Sequence, residues 1–168
     1  MIIHRLSVSG FKMIGDPITL EFSENECRIG IFGSNETGKS TLLESIEYAL
    51  YGLTGKRTEI SREDVITWGK EHAKLTLEFT SGTERYLLER EIGQKTGHRA
   101  KLHQITNGAK GKPITNVTKI GEEIERITGM DRDSFTKLIY VKQKDLDALK
   151  ELDKSSRERL CLCMGVGS

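Results

Sequence analysis

The chain has 168 residues, enough for one domain with a real core, and carries 26 Lys and Arg against 25 Asp and Glu, a net charge of +1. Such an even balance excludes any inference of a polyanion partner from global charge; that argument has to be local. No apolar run approaches a membrane span, no signal-peptide pattern opens the chain, and Cys27, Cys161 and Cys163 lack zinc spacing, so they read as reduced thiols of a cytoplasmic protein.

Ile2 to Ser9 alternates, with Ile2, His4, Leu6 and Val8 on one face, and predicts a strand with one buried side. Gly10-Phe11-Lys12 breaks it. Ile18, Leu20 and Phe22 alternate again after an Asp16-Pro17 turn and suggest a second strand. Arg28 to Phe32 is strand-like, and Ile29 to Phe32 within it is a short apolar run, as expected for a strand buried on both faces. It leads into Gly33-Ser34-Asn35-Glu36-Thr37-Gly38-Lys39-Ser40, which fits G-x-x-x-x-G-K-[ST], the loop that cradles nucleotide phosphates. The glycines let successive N–H groups curl inward toward an anion, and the helix that follows adds partial positive charge at its N-terminus. In that chemistry Lys39 reaches the β- and γ-phosphates and Ser40 places its hydroxyl on Mg²⁺.

Leu42, Leu43, Ile46, Ala49 and Leu50 fall at helical spacing and predict a helix from about Lys39 to Tyr51, stopped by Gly52. Thr54 to Glu63 is polar and reads as loop. Val65-Ile66-Thr67-Trp68-Gly69 is a short apolar knot whose tryptophan is expected in the core, with the second option that the stretch lines a nucleotide base. Leu75, Leu77 and Phe79, the Ser81-Gly82 turn, and Tyr86, Leu88 and Arg90 predict a β-hairpin. Lys101 to Ile105 suggests a further strand, with Asn107-Gly108 as another turn, so an antiparallel β-meander is inserted after the first α/β unit.

From Ile92 to Gly121 there is no acidic residue, while Lys95, Arg99, Lys101, Lys110, Lys112 and Lys119 accumulate with His98 and His103. Two readings stay open: a solvated hairpin face, or a surface that contacts the phosphate backbone of DNA. No stacking aromatics are interleaved, so base-specific recognition is not indicated. Val117, Ile120, Ile124 and Ile127 predict an amphipathic helix ended by Gly129, and Asp131 can cap the next one, with Phe135, Leu138 and Ile139 on its apolar side. Tyr140-Val141-Lys142-Gln143 follows, and Leu146, Leu149 and Leu152 lead into a charged helix.

A working P-loop ATPase also needs an acidic residue at a second strand end and a group that activates water. Four apolar residues followed by Asp occur nowhere in the chain, and neither D-x-x-G nor N-K-x-D is present. The nucleotide site read from these residues is therefore incomplete.

The strand ending in Gly10-Phe11-Lys12, the phosphate loop at Gly33, the meander and Tyr140-Val141-Lys142-Gln143 together resemble the N-terminal lobe of the ABC-type ATPase head of SMC-like proteins. Among these, the chain most resembles the double-strand-break repair ATPase of the SbcC type, partner of the Mre nuclease. The resemblance implies an α/β P-loop NTPase fold, with a mixed sheet and the added antiparallel meander. Residues 1–150 would form the N-terminal lobe and 151–168 the start of a coiled-coil helix. In that family the acidic strand end, signature loop and switch histidine come from a C-terminal ATPase lobe of the same protein, which would account for their absence here.

The resemblance also implies ATP and Mg²⁺ as cofactors. Asn35, Glu36, Thr37, Gly38, Lys39, Ser40 and Thr41 would bind the phosphates; Ser40 and Gln143 would meet Mg²⁺, and Gln143 would sense the γ-phosphate. Lys39 and Gln143 would be the catalytic pair. Lys12, with Phe11 and Met13, would lie against adenine and the α-phosphate, and Ile66, Thr67 and Trp68 on the other adenine side. Glu36 stands where the family usually has Gly, and Lys144 where Gly commonly follows the glutamine. Implied partners are the C-terminal lobe, a second head in a homodimer, an Mre-type nuclease and double-stranded DNA, with no membrane, in the cytoplasm or at the nucleoid. The rival readings are an SMC-like ATPase of RecF or RecN type, a DNA-binding module with a regulatory nucleotide switch, and a small P-loop kinase.

Overall fold

In the computed structural model the described residues are 1–23, 29–34, 37–52 and 62–138. The chain divides into two compact units, Met1–Gly129 and Met130–Ser168. Expectations for Asn35, Glu36, Gln143, the Thr54–Glu63 loop up to residue 61, and the coiled-coil start at 151–168 lie outside the described residues.

The first unit is a six-stranded sheet in the order β2-β1-β3-β4-β5-β6. Its strands are β1 (Ile2–Ser9), β2 (Ile18–Glu21), β3 (His72–Ser81), β4 (Glu84–Gly93), β5 (Gly97–Thr106) and β6 (Ala109–Lys110). Every pairing among them is antiparallel. The helices of this unit are α1 (Lys39–Tyr51), α2 (Arg62–Val65) and α3 (Val117–Thr128). The second unit contributes α4 (Arg132–Leu138), where Asp131 accepts from the Ser134 N–H at 2.7 Å and so caps the helix as its residue type predicts.

Period-two patterning builds the core. Leu6, Val8, Leu75, Leu77, Phe79, Leu88, Ile92 and Leu102 share one face of the sheet and are buried. α1 covers that face over β3 and β4, and α3 covers it over β5. Burying each such side chain contributes about 1.5–3 kcal/mol. The Asn107-Gly108 turn between β5 and β6 has φ of 53° and 76°, the primed hairpin geometry that dipeptide favours. Gly10, at φ 63°, ends β1 where a Cβ would lie 2.1 Å from the His72 carbonyl oxygen, so only glycine lets the chain turn there.

Two expectations change. Ile29–Phe32 forms no strand: its residues pair with none of the six, and Ile29, Ile31 and Phe32 are 52%, 40% and 93% exposed. A strand buried on both faces needs a ladder partner on each side, and the described sheet offers none. The parallel pairs of a mixed sheet are accordingly absent among the described residues. Trp68 is 98% exposed rather than in the core. A turn closed by Lys70 N–H to Thr67 O at 2.9 Å projects it outward, and Ile66 takes the buried place at 4% exposure.

Candidate nucleotide-binding site

The phosphate loop opens α1 as its sequence requires. Gly38 is the N-cap residue at φ 88°, a left-handed conformation, and its carbonyl accepts the Leu42 N–H at 2.9 Å. No acidic residue occupies the first turn of α1, so the free N–H groups there face no competing carboxylate of that turn. Lys39 Nζ donates to the Gly33 carbonyl at 2.9 Å and also to the Ser34 carbonyl. Thr37 Oγ1 donates to the same Ser34 oxygen at 2.8 Å. The Lys39 ammonium is thus held by carbonyls at the start of its own loop. Ser40 is exposed at the helix start, whereas the Thr41 side chain is buried. A hydroxyl in that position fits Mg²⁺, which keeps waters and substrate phosphates among its ligands and needs few groups from the protein.

The second part of the site is a tile made from two segments distant in sequence. Phe11 and Ile14 exchange N–H and C=O bonds at 2.8 Å, closing a tight turn over Lys12 and Met13. Lys12 N–H donates to Val65 O at 2.8 Å, Thr67 N–H to Gly10 O at 2.9 Å, and Thr67 Oγ1 to Ile14 O at 3.1 Å. The two stretches assigned to the adenine side, Phe11–Met13 and 66–68, are therefore laced together. This tile borders the phosphate loop, since a Cβ on Gly38 would sit 3.7 Å from Met13 Cβ and 3.8 Å from Ile14 Cγ1. Met13 is 66% exposed, and with Trp68 it offers apolar surface at the tile.

Sequence reasoning missed two residues. Glu44, on α1, accepts from Lys12 Nζ at 2.6 Å, and that ammonium also lies 5.9 and 5.8 Å from the ring centroids of Phe11 and Tyr48. Phe11 and Tyr48 form an edge-to-face pair at 5.1 Å. Arg90 is only 3% exposed and donates to the Ala49 and Leu50 carbonyls, at 2.5 and 2.6 Å, at the C-terminus of α1. Those are orphan acceptors at the negative end of the helix, where a cation belongs. Burial lowers the Arg90 pKa to about 10, which still leaves it charged at neutral pH. The signal was there: a lone cation on the apolar row of β4.

The basic stretch is less one-sided in space than in sequence. On the open face of the sheet Glu89 stands opposite Lys101 and Glu91 opposite Arg99. Glu89 also lies 3.3 Å from Lys110 and 3.8 Å from His103. His98 points to the other face, with Nε2 3.4 Å from Arg90 Nη1. An open depression of about 310 Å³ on the charged face is lined by Lys74, Thr76, Glu89, Glu91, Arg99 and Lys101, a mixed ion ladder that favours the solvated-face reading.

With this geometry the chain can be set beside known proteins. A family model described as AAA domain matches residues 5–160. The chain belongs to that family. This AAA domain is 31% identical over 154 residues to the DNA double-strand break repair Rad50 ATPase of Halobacterium salinarum, covering 92% of the chain and 17% of that protein. It is 26% identical to the Rad50 ATPase of Methanocaldococcus jannaschii, over 99% of the chain and 16% of that protein. To the SbcC component of the SbcCD nuclease of Deinococcus radiodurans it is 25% identical, over 92% of the chain and 17% of that protein. The chain thus spans about a sixth of the curated relatives it matches, and it resembles SbcC/Rad50-type ATPases over most of its own length. Among solved structures, the SMC head domain from Thermotoga maritima shares the fold at a TM-score of 0.51 and 24% identity, over 73% of this chain and 42% of that one. The recombination mediator protein RecF-ATPrS matches at a TM-score of 0.51 and 22% identity, over 71% of this chain and 29% of that one.

Proposed function

We propose that this chain is the ATP-binding half of an SMC-like DNA repair ATPase, in which ATP draws two heads together and so controls access of a nuclease partner to DNA ends. The observation that carries the reading is the phosphate loop at the start of α1, with Lys39 held inside it and the Lys12 tile packed against Gly38. On phosphate binding, Lys39 exchanges the Gly33 and Ser34 carbonyls for the β- and γ-phosphate oxygens, and the α1 N-terminus faces the same anion. Ser40, with Gln143, would hold Mg²⁺, which would neutralise phosphate charge at the γ-phosphoryl group. Trp68 and Met13 supply apolar surface for the base.

Catalysis needs an acidic strand end and a water-activating group that this sequence lacks, so a C-terminal lobe of the same protein completes the site and a second head caps it. The names of the relatives, which are repair ATPases and a nuclease component, support the role in DNA break repair. The test is Mg-ATP binding and turnover by this chain, with Lys39→Ala as control. Binding that Lys39→Ala removes, without steady turnover, is the expected result. Robust turnover by the chain alone would sink the reading.

A further inference from the structure

The first glycine of the phosphate loop has a reason in this structure that its backbone conformation does not give. Gly33 has no positive φ, so a residue with a Cβ could adopt its backbone. The obstacle is a side chain. A Cβ on Gly33 would lie 2.8 Å from Thr37 Oγ1, closer than packed atoms allow, and 3.9 Å from Lys39 Cδ. The space beside Gly33 is thus given to the Thr37 hydroxyl. That hydroxyl donates to Ser34 O at 2.8 Å, and Lys39 Nζ donates to the same oxygen. A carbonyl oxygen has two lone pairs, so the two donors fill it. Gly33, Ser34 and Thr37 are all exposed, where water replaces a hydroxyl at little cost, so stability of the fold does not account for the arrangement. The hydroxyl bond instead ties residue 34 to residue 37 across the loop, next to the Gly38 N-cap of α1.

We infer that Thr37 is a positioning residue of the nucleotide site: its hydroxyl, seated against Gly33 and bonded to Ser34 O, holds the phosphate loop in shape when Lys39 leaves that carbonyl for phosphate. This rests on the nucleotide reading above. With Lys39 gone, Ser34 O keeps one donor and the span from 34 to 37 keeps its closure. Without the hydroxyl that span is ordered only on binding, and affinity falls by the entropic cost of ordering it. Thr37 acts through the loop, and its side chain is not itself a contact to the nucleotide.

The experiment is a calorimetric titration of the full chain with Mg-ATP and, separately, with Mg-tripolyphosphate. Thr37→Val, Thr37→Ser, Gly33→Ala and the double variant Gly33→Ala with Thr37→Ala are compared, with Lys39→Ala as reference. Thr37→Val keeps the shape without the donor and is expected to bind both ligands about fivefold weaker, at unchanged stoichiometry and melting midpoint. An equal loss for the two ligands assigns the effect to the loop rather than to the base side. Thr37→Ser keeps the hydroxyl and is expected to recover most of the loss. Gly33→Ala displaces the hydroxyl and is expected to weaken binding by a similar factor, with Thr37→Ala adding little in that background. Thr37→Val that binds as the parent chain does overturns the inference. So does Thr37→Ser that binds as weakly as Thr37→Val, since the hydroxyl would then not be what matters. A loss seen only as lower stoichiometry or a lower melting midpoint is a folding defect and overturns it too. Where Lys39→Ala abolishes binding and Thr37→Val leaves it unaltered, only the inference falls. Where the full chain and Lys39→Ala show no binding alike, the nucleotide reading falls with it.

Discussion

At the scale of single residues, Lys39 and Trp68 carry opposite expectations for stability and for binding. Lys39 donates to two carbonyls of a loop that the sheet does not need, so Lys39→Ala leaves the thermal midpoint nearly unchanged. It removes charge-assisted bonds to phosphate, each about 1.5–3 kcal/mol, and should weaken Mg-ATP binding at least tenfold by calorimetry. Trp68 is 98% exposed, so Trp68→Ala should keep the fold and its melting curve intact. If the indole stacks on the base, the same change costs about 1 kcal/mol of ATP affinity, roughly fivefold. As the sole tryptophan it also serves as the probe: its fluorescence should be readily quenched by iodide in the free chain and shielded on adding Mg-ATP. Unaltered quenching would remove Trp68 from the base site.

At the scale of elements, Arg90 joins α1 to β4. Arg90→Met strands the Ala49 and Leu50 carbonyls in a buried place, and should destabilise the fold by about 2–3 kcal/mol, seen as a Tm lower by roughly 10 °C. Arg90→Lys keeps the charge but not the fork that spans two carbonyls, and should fall between. The elements themselves were largely legible. Alternation marked β1, β3 and β4, helical spacing marked α1 and α3, and Gly52, Gly129 and Asn107-Gly108 ended segments where expected. What stayed hidden is pairing between segments far apart in sequence. Nothing local in Ile66-Thr67 reveals bonds to Gly10 and Ile14, and nothing in Glu44 reveals Lys12. The run before the phosphate loop misled for the complementary reason: its apolar composition specifies burial but supplies no partner, and Ile29, Ile31 and Phe32 stay exposed.

At the scale of the whole molecule, those three side chains predict how this chain behaves with a complementary lobe. Phe32→Ser should leave the melting midpoint of the isolated chain within about 0.5 kcal/mol of unchanged, since the ring is 93% exposed. It should weaken assembly with a C-terminal ATPase lobe, measured by co-elution in size-exclusion chromatography; assembly as tight as that of the parent chain would show that Phe32 is not covered there. The clamp at Arg90 has a mechanical consequence. α1 is a 13-residue rod, about 20 Å long, with the phosphate loop at one end and a buried guanidinium riveted to β4 at the other. Glu89 and Glu91 flank Arg90 on the opposite face of that strand, within the charged ladder. Any displacement of the phosphate-loop end of α1 would therefore act through Arg90 on the strand beneath the charged ladder, and a load on that strand would act back on α1.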